Sequence, residues 1–344
     1  MDNEILVIGG GAQGLTMAAH LSLSGCKVNL WNRTAEHISK IIKTNTISCH
    51  GILTEKAKIN KASDNIREVL SKNIMVTTPA FAHKDIAKLL APFVDDSFFI
   101  VLNPGRTFGA LEFKKVLMDY GCKKLPAIAE TQTIIYTCRR DDKGDVILYA
   151  LKNDVQIATI SNTDIISRLP EVLKPYFLPN PSYMEVTLNN VGMILHCAPV
   201  LFNIGWIEIP NTNFKYYYEG ITPTIANFLE AMDKERVALS NDLGFSIESV
   251  KDWIYRTYNI KGENLYEALK NNIYYKDIDA PKTLNHRYIY EDIPTGLVAI
   301  ESVGRFIGKS TPNISLIIEN ANAVLKKNFR ENGRDYSILI KYLN

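Results

Sequence analysis

A chain of 344 residues, 46% of them hydrophobic, can bury two cores, so two domains are the better expectation. The net charge of +2, with lysine and glutamate interspersed, offers no basic stripe for a phosphate backbone, so no nucleic-acid partner is expected. The five cysteines (Cys26, Cys49, Cys122, Cys138, Cys197) include no Cys-x-x-Cys pair, which argues against a disulfide framework and a zinc cluster.

The N-terminus, Met-Asp-Asn-Glu, turns at once into an apolar strand without the basic region and cleavage site of a signal peptide. No apolar run approaches the roughly 18 residues a membrane span needs. The expectation is a cytoplasmic protein with no membrane partner.

In chain order, "EILVIGGGAQGLTMAAHLSLSGCKVNLWNR" reads as strand, glycine turn, helix, a helix-ending Gly25 and a second strand, a βαβ unit. Strands follow at "NIMVTTP", "FFIVLNP" and "KLPAIAE", with helical patterns at "HKDIAKLLAPFV" and "GALEFKKVLMDYG" between them. That alternation predicts a parallel sheet covered on both faces. "DVILYALKNDVQIATIS" reads as a hairpin about Lys152-Asn153-Asp154 on the sheet edge. The helix "NTDIISRLPEVLKPYF" carries Pro170 and is expected to kink or break there. "LPNPSY" reads as a linker, placing the boundary near 182. Beyond it every segment is helical, beginning with "MEVTLNNVGMILHCAPVLFNIGW". The predicted fold is α/β: a doubly wound Rossmann domain over 1–182, then an all-α domain over 183–344.

Gly9-x-Gly11-x-x-Gly14 would be a weak signal alone, but it directly follows the strand "ILVI" and opens a helix. There, glycines allow a tight turn, backbone approach to a pyrophosphate and close strand–helix packing. Gly9, Gly11, Ala12, Gln13 and Gly14 are therefore candidate cofactor-binding residues, with a plain βα turn as the alternative. At the end of the second strand Asn32 stands where an acidic residue would take both ribose hydroxyls, and Arg33 and Thr34 follow with a cation and a hydroxyl suited to a 2′-phosphate. NADP is favoured. NAD stays open, because Arg33 could equally stack on adenine or face solvent. Thr78 and Pro79 of "TTPAF", and Asn103 of "LNPGRT", lie on loops expected at the nicotinamide end of the sheet. His83 reads as a surface or capping residue.

In the helical half, His196 lies on the apolar stretch "VGMILHCAPVLF", where a lone histidine is as readily a core residue as a catalytic one. Asn189, seven residues earlier, would share its face on a continuous helix and is a candidate substrate contact. Further on, "HRYIYEDIPTG" gathers charge before a helix. Asp292, with Pro294 behind it, could simply cap that helix, and Arg287 could be a surface ion pair.

Nearly the whole chain resembles the opine dehydrogenases, a family that includes octopine and nopaline dehydrogenases. The resemblance is carried by "TTPAFAHKDIAKLLAP", "VLNPGRTFGALEF", "AETQTIIYTCR", "NNVGMILHCAPVLFN", "YYYEGITPTIANFLEAMDKER" and "HRYIYEDIPTGLV". It implies a Rossmann domain joined to a helical domain, and reduction of the imine between an amino acid and a 2-oxo acid by NADH or NADPH. It also implies that His196 and Asp292 form a catalytic dyad and that Arg287 holds the oxo acid's carboxylate. Many members have proline directly after the histidine, whereas Cys197 and Ala198 precede Pro199 here. A carboxylate beside His196 would be expected to raise the imidazole pKa.

Ketopantoate reductase, 3-hydroxyacyl and glycerol-phosphate dehydrogenases share this plan but typically use a lysine on the first helix of the second domain, and no lysine occurs between 183 and 204. A non-catalytic NADP-binding sensor is the rival from another class. Which amino acid and oxo acid react, the direction, the stereochemistry and the oligomeric state are not legible, a homodimer being one option. Trp206, Trp253 and the tyrosines at 216 to 218 could line the pocket or form core.

Overall fold

The structure, a computed structural model, describes residues 4–141, 143–161 and 163–343. The Met-Asp-Asn start and the first residue of the helix expected from 162 lie outside the described residues. The chain divides into two compact units, Met1–Gly105 with Gly109–Tyr183, and Arg106–Phe108 with Met184–Leu343. Arg106–Phe108, which the sequence reading placed in the first domain, therefore belongs with the helical unit. Among the described residues no helix is long and apolar enough to cross a membrane.

The first unit's strands are β1 (Glu4–Ile8), β2 (Lys27–Trp31), β3 (Thr46–Gly51), β4 (Lys56–Lys58), β5 (Lys61–Ser63), β6 (Asn73–Val76), β7 (Phe99–Leu102), β8 (Ala127–Thr131), β9 (Tyr136–Arg140), β10 (Val146–Leu151), β11 (Val155–Thr159) and β12 (Phe177–Pro179). The large sheet runs β12-β11-β8-β7-β6-β1-β2-β5. Its six strands from β5 to β8 are parallel, in the doubly wound order that reverses direction between β1 and β6. Central β1 explains its own sequence: Ile5, Leu6, Val7 and Ile8 are all buried, as a strand covered on both faces requires. The sheet is mixed at one edge, where β11 pairs antiparallel with β8.

The expected hairpin at 146–159 does not form. β10 and β11 enter different sheets, β10 joining a second sheet of order β4-β3-β10-β9. Both runs alternate correctly for strands; the short Lys152-Asn153-Asp154 link carries the chain from one sheet to the other instead of folding it back. The small sheet packs on α1 (Ala12–Leu23), which is why Gly14 through Leu21 are all buried and the helix shows little amphipathic contrast. The remaining helices of this unit are α2 (Ser39–Thr44), α3 (His83–Leu90), α4 (Gly109–Asp119) and α5 (Ile165–Arg168). After α5 the helix breaks at Leu169-Pro170, and β12 occupies part of the segment read as linker.

The second unit is helical: α6 (Tyr183–Leu188), α7 (Gly192–Phe202), α8 (Ile204–Glu208), α9 (Pro223–Asp242), α10 (Val250–Tyr258), α11 (Leu265–Asn271), α12 (Arg287–Tyr290), a π-helical turn Ile293–Leu297, α13 (Val298–Ile307), α14 (Pro312–Leu325) and α15 (Tyr336–Leu339). The first long helix expected is thus three helices, broken at 189–191 and at Asn203. α7 is apolar on all sides and packs against α9, α12, α14 and the π turn. Pro199 within it has no N–H for the Leu195 carbonyl; the Tyr216 hydroxyl lies 3.3 Å from that oxygen and 2.6 Å from the His196 carbonyl oxygen, serving the frayed ladder. Gly296 permits close approach of the π turn to α7, since a Cβ there would lie 2.7 Å from Met193 Cβ.

Candidate functional site

Two candidate sites lie one in each unit. In the first, β1 ends at Ile8 and the chain turns through Gly9, whose φ of +124° is open to glycine. Gly14 lets α1 start against that turn, because a Cβ there would fall 1.9 Å from the Gly9 carbonyl oxygen. A Cβ on Gly11, by contrast, would meet nothing within 4 Å. The backbone is therefore tight where helix meets strand and open at the start of α1, the shape a pyrophosphate cradle needs. Two polar atoms beside it, Gln13 Oε1 and Thr78 Oγ1, are buried without a hydrogen-bond partner. Open cradle and orphaned oxygens together fit a dinucleotide.

Asn32 is tied to the glycine turn. Its Oδ1 accepts from Gly10 N at 2.9 Å and its Nδ2 donates to the Thr34 carbonyl at 2.8 Å, so the carboxamide ties the end of β2 to the glycine turn. Arg33 is exposed and lies 3.7 Å from the equally exposed Asp85, a pairing too weak to fix it. Thr34 precedes a short 3-10 turn without capping it. Pro79 is exposed after Thr78, and Asn103 is buried with its Nδ2 donating to the Val101 carbonyl at 3.0 Å. His83, expected at the surface or as a cap, is fully buried and lies edge-on to Phe113.

In the second unit, His196 Nδ1 lies 2.7 Å from Asp292 Oδ2. Asp292 is completely buried and the histidine side chain is 12% exposed. Asp292 does not cap the helix that follows; it makes no side-chain cap bond, and its backbone is already helical at φ −73°, ψ −25°. His286 caps α12 instead, accepting from Tyr288 N. The Tyr288 ring lies on the imidazole with centroids 3.8 Å apart and planes 13° from parallel, which fixes the plane of the histidine ring. Arg287 is exposed, its guanidinium 5.6 Å from the centre of the Tyr288 ring.

Asn189 does not share the His196 face by helical spacing, because the helix is interrupted between them. Its Oδ1 accepts from Arg236 at 3.3 Å and its Nδ2 donates to Glu248 at 2.9 Å, in a buried network that also includes Asp233. Trp253 and Tyr216 are core residues, whereas Trp206 is exposed and stacks on Phe214.

The electrostatics reverse one expectation. Burial disfavours the imidazolium of His196, and although Asp292 opposes this, Arg106 and Arg287 reinforce it, so the histidine pKa is lowered. Asp292 is held below the ordinary carboxylate value: burial would raise it, but Arg106, His196 and Arg287 together outweigh burial. With an ionised carboxylate accepting from Nδ1, the neutral imidazole keeps its lone pair on Nε2. Such a group offers an unprotonated ring nitrogen, the form a general base needs.

Arg106, Glu291 and Tyr288 are the participants sequence reasoning missed. Arg106 was visible inside "LNPGRTFG", a loop read only for its place after a strand, and no spacing rule links it to residues 291 and 292.

Comparison with known proteins covers both units. The family model for ketopantoate reductase PanE/ApbA matches residues 5–103, and that for the NAD/NADP octopine/nopaline dehydrogenase α-helical domain matches residues 179–325. An opine dehydrogenase from Arthrobacter sp. (strain 1C) is 32% identical over 333 residues, covering 95% of this chain and 92% of that protein. A structure of octopine dehydrogenase with NADH and L-arginine superposes with a TM-score of 0.77 at 21% identity, covering 94% and 90% of the two chains. Yersinopine dehydrogenase with NADP+ gives 0.76 at 13% identity, over 100% and 98%. These findings define an NAD(P)-dependent oxidoreductase. The chain belongs to the opine dehydrogenase family.

Proposed function

We propose that this protein catalyses the reversible reductive condensation of an amino acid with a 2-oxo acid, using NADPH in preference to NADH. The observation that carries the reading is the 2.7 Å bond between His196 Nδ1 and the buried carboxylate of Asp292, which gives the helical unit an oriented acid/base.

Arg287, exposed beside the stacked Tyr288–His196 pair, takes the carboxylate of the oxo acid in a bidentate grip. His196, neutral at the outset, removes a proton from the ammonium of the amino acid, and the freed amine attacks the oxo carbon. A second proton passes from that nitrogen to the oxygen to give the carbinolamine, and His196 then returns its own proton to the carbinol hydroxyl, which leaves as water as the protonated imine forms. Asp292 stabilises the imidazolium between the two transfers. Gly9, Gly11, Ala12, Gln13 and Gly14 would hold the cofactor's pyrophosphate, Thr78, Pro79 and Asn103 its nicotinamide end, and Arg33 and Thr34 a 2′-phosphate. When bound, the reduced nicotinamide supplies the hydride that converts imine to secondary amine.

A matrix of amino acids against pyruvate, glyoxylate and 2-oxoglutarate, with NADPH and NADH followed separately, tests this. Oxidation that needs both organic substrates is expected. Oxidation by an oxo acid alone, at the same rate with or without any amino acid, would place the enzyme with the ketopantoate reductases.

A further inference from the structure

Glu291 and Asp292 are adjacent, and both are buried, at 2% and 0% exposure. Two neighbouring carboxylates in such a place repel, and one would take up a proton unless a cation stood between them. Arg106 is that cation. Its Nε lies 3.3 Å from Glu291 Oε1 and its Nη2 3.5 Å from Oε2, while Nη1 lies 3.5 Å from Asp292 Oδ1. Guanidinium and imidazole thus take opposite oxygens of the Asp292 carboxylate.

The segment carrying Arg106 is pinned at each residue. Thr107 N donates to the Thr295 carbonyl at 3.2 Å, the Thr107 carbonyl accepts from Arg334 at 2.8 Å, and Phe108 N donates to Thr187 Oγ1 at 2.6 Å. Space for the guanidinium comes from Gly192, the first residue of α7, where a Cβ would sit 2.5 Å from Arg106 Nη1. A surface arginine needs none of this. The place has been built around its head group.

We propose that Arg106 is a positioning residue of the acid/base site: by bridging Glu291 and Asp292 it keeps the Asp292 carboxylate ionised and aimed at His196 Nδ1, and so sets the pH range over which His196 exchanges protons. The proposal rests on His196 being the acid/base. Other titratable side chains around the histidine are Cys197, Tyr216, Tyr217 and Tyr288, and burial holds Cys197, Tyr216 and Tyr217 far above their ordinary values. The charges governing His196 are therefore those of Asp292, Glu291, Arg106 and Arg287.

The test is a proton NMR titration of the full chain without substrate, following the Cε1–H signal of His196, identified as the one missing from His196→Gln. Removing the ion pair as a neutral unit, in Arg106→Met/Glu291→Gln, is expected to move the His196 midpoint upward by about one pH unit. Asp292→Asn is expected to move it downward. An unmoved midpoint in a folded double variant, shown by a cooperative melt, overturns the proposal. Should the double variant not fold, Gly192→Ala, which pushes the guanidinium away from Asp292, is titrated instead; an upward shift supports the proposal and an unmoved midpoint overturns it. A His196→Ala enzyme that kept its turnover would end the catalytic reading while leaving this titration as it stands.

Discussion

Asp292 places one carboxylate oxygen 2.7 Å from His196 Nδ1, across 96 positions of sequence, while its other oxygen is buried with no hydrogen-bond partner and Arg106 at 3.5 Å. A carboxylate held this way fixes the tautomer of the histidine and opposes the effect of burial on its charge.

The first consequence concerns Asp292→Asn. An amide no longer favours the imidazolium, so the acid limb of kcat/KM should move to lower pH while the plateau falls by about a hundredfold or more. Steady-state rates across pH check this. A limb displaced upward would show that Asp292 does not act on His196 electrostatically.

Glycines in the turn separate folding from binding. Gly14→Ala forces a Cβ to within 1.9 Å of the Gly9 carbonyl oxygen, and overpacking of that kind should destabilise the first unit by about 1–3 kcal/mol. Gly11→Ala meets no protein atom within 4 Å, so its melting temperature should be unchanged while NADPH affinity falls. Thermal melts beside fluorescence titrations distinguish the two. Equal loss of stability in both variants would count against the open cradle.

Arg33 separates the two nicotinamide cofactors. Its ion pair with Asp85 is a 3.7 Å approach between two exposed groups, so replacing it costs the fold little. Arg33→Ala should weaken NADPH about tenfold, the loss of one hydrogen bond to a charged group, and leave NADH binding unaltered. Equal weakening of both would mean that Arg33 touches adenine, not a phosphate.

Stability should also record the buried histidine. Because His196 is held below the ordinary value of 6.5, the unfolded chain binds its proton before the folded protein does as pH falls. The stability this group contributes is complete above 6.5 and is lost as the pH drops from there toward the lowered value. Urea midpoints at about pH 7.5 and about pH 5.5 should therefore fall further in wild type than in His196→Gln. His20, also depressed by burial, is common to both proteins and cancels in the difference. Identical falls would contradict a lowered His196.

Most of the parallel sheet was legible because buried strands and the Gly9–Gly14 turn are local signals: periodicity, glycine spacing and what flanks them. The small sheet was not. Its strands β3 and β4 are short and polar at alternate positions, and nothing local tells β10 to pair with β3 and β9 instead of β11. His196 could be named from its oddity on an apolar helix, but the partnership with Asp292 entered only through family resemblance. Asn189 failed as a face-mate because helix breaks at 189–191 respond to Arg236 and Glu248, distant groups that compete for its carboxamide. Arg106 was hidden for the same reason: a buried arginine is defined by the carboxylates it meets.

The most direct measurement is NADPH oxidation by His196→Ala under conditions where wild type requires both an amino acid and a 2-oxo acid. Loss of about a hundredfold to ten-thousandfold in rate, with NADPH still bound by fluorescence, is the expected result. A variant that binds NADPH and keeps most of the wild-type rate would contradict the assignment of His196 as the acid/base.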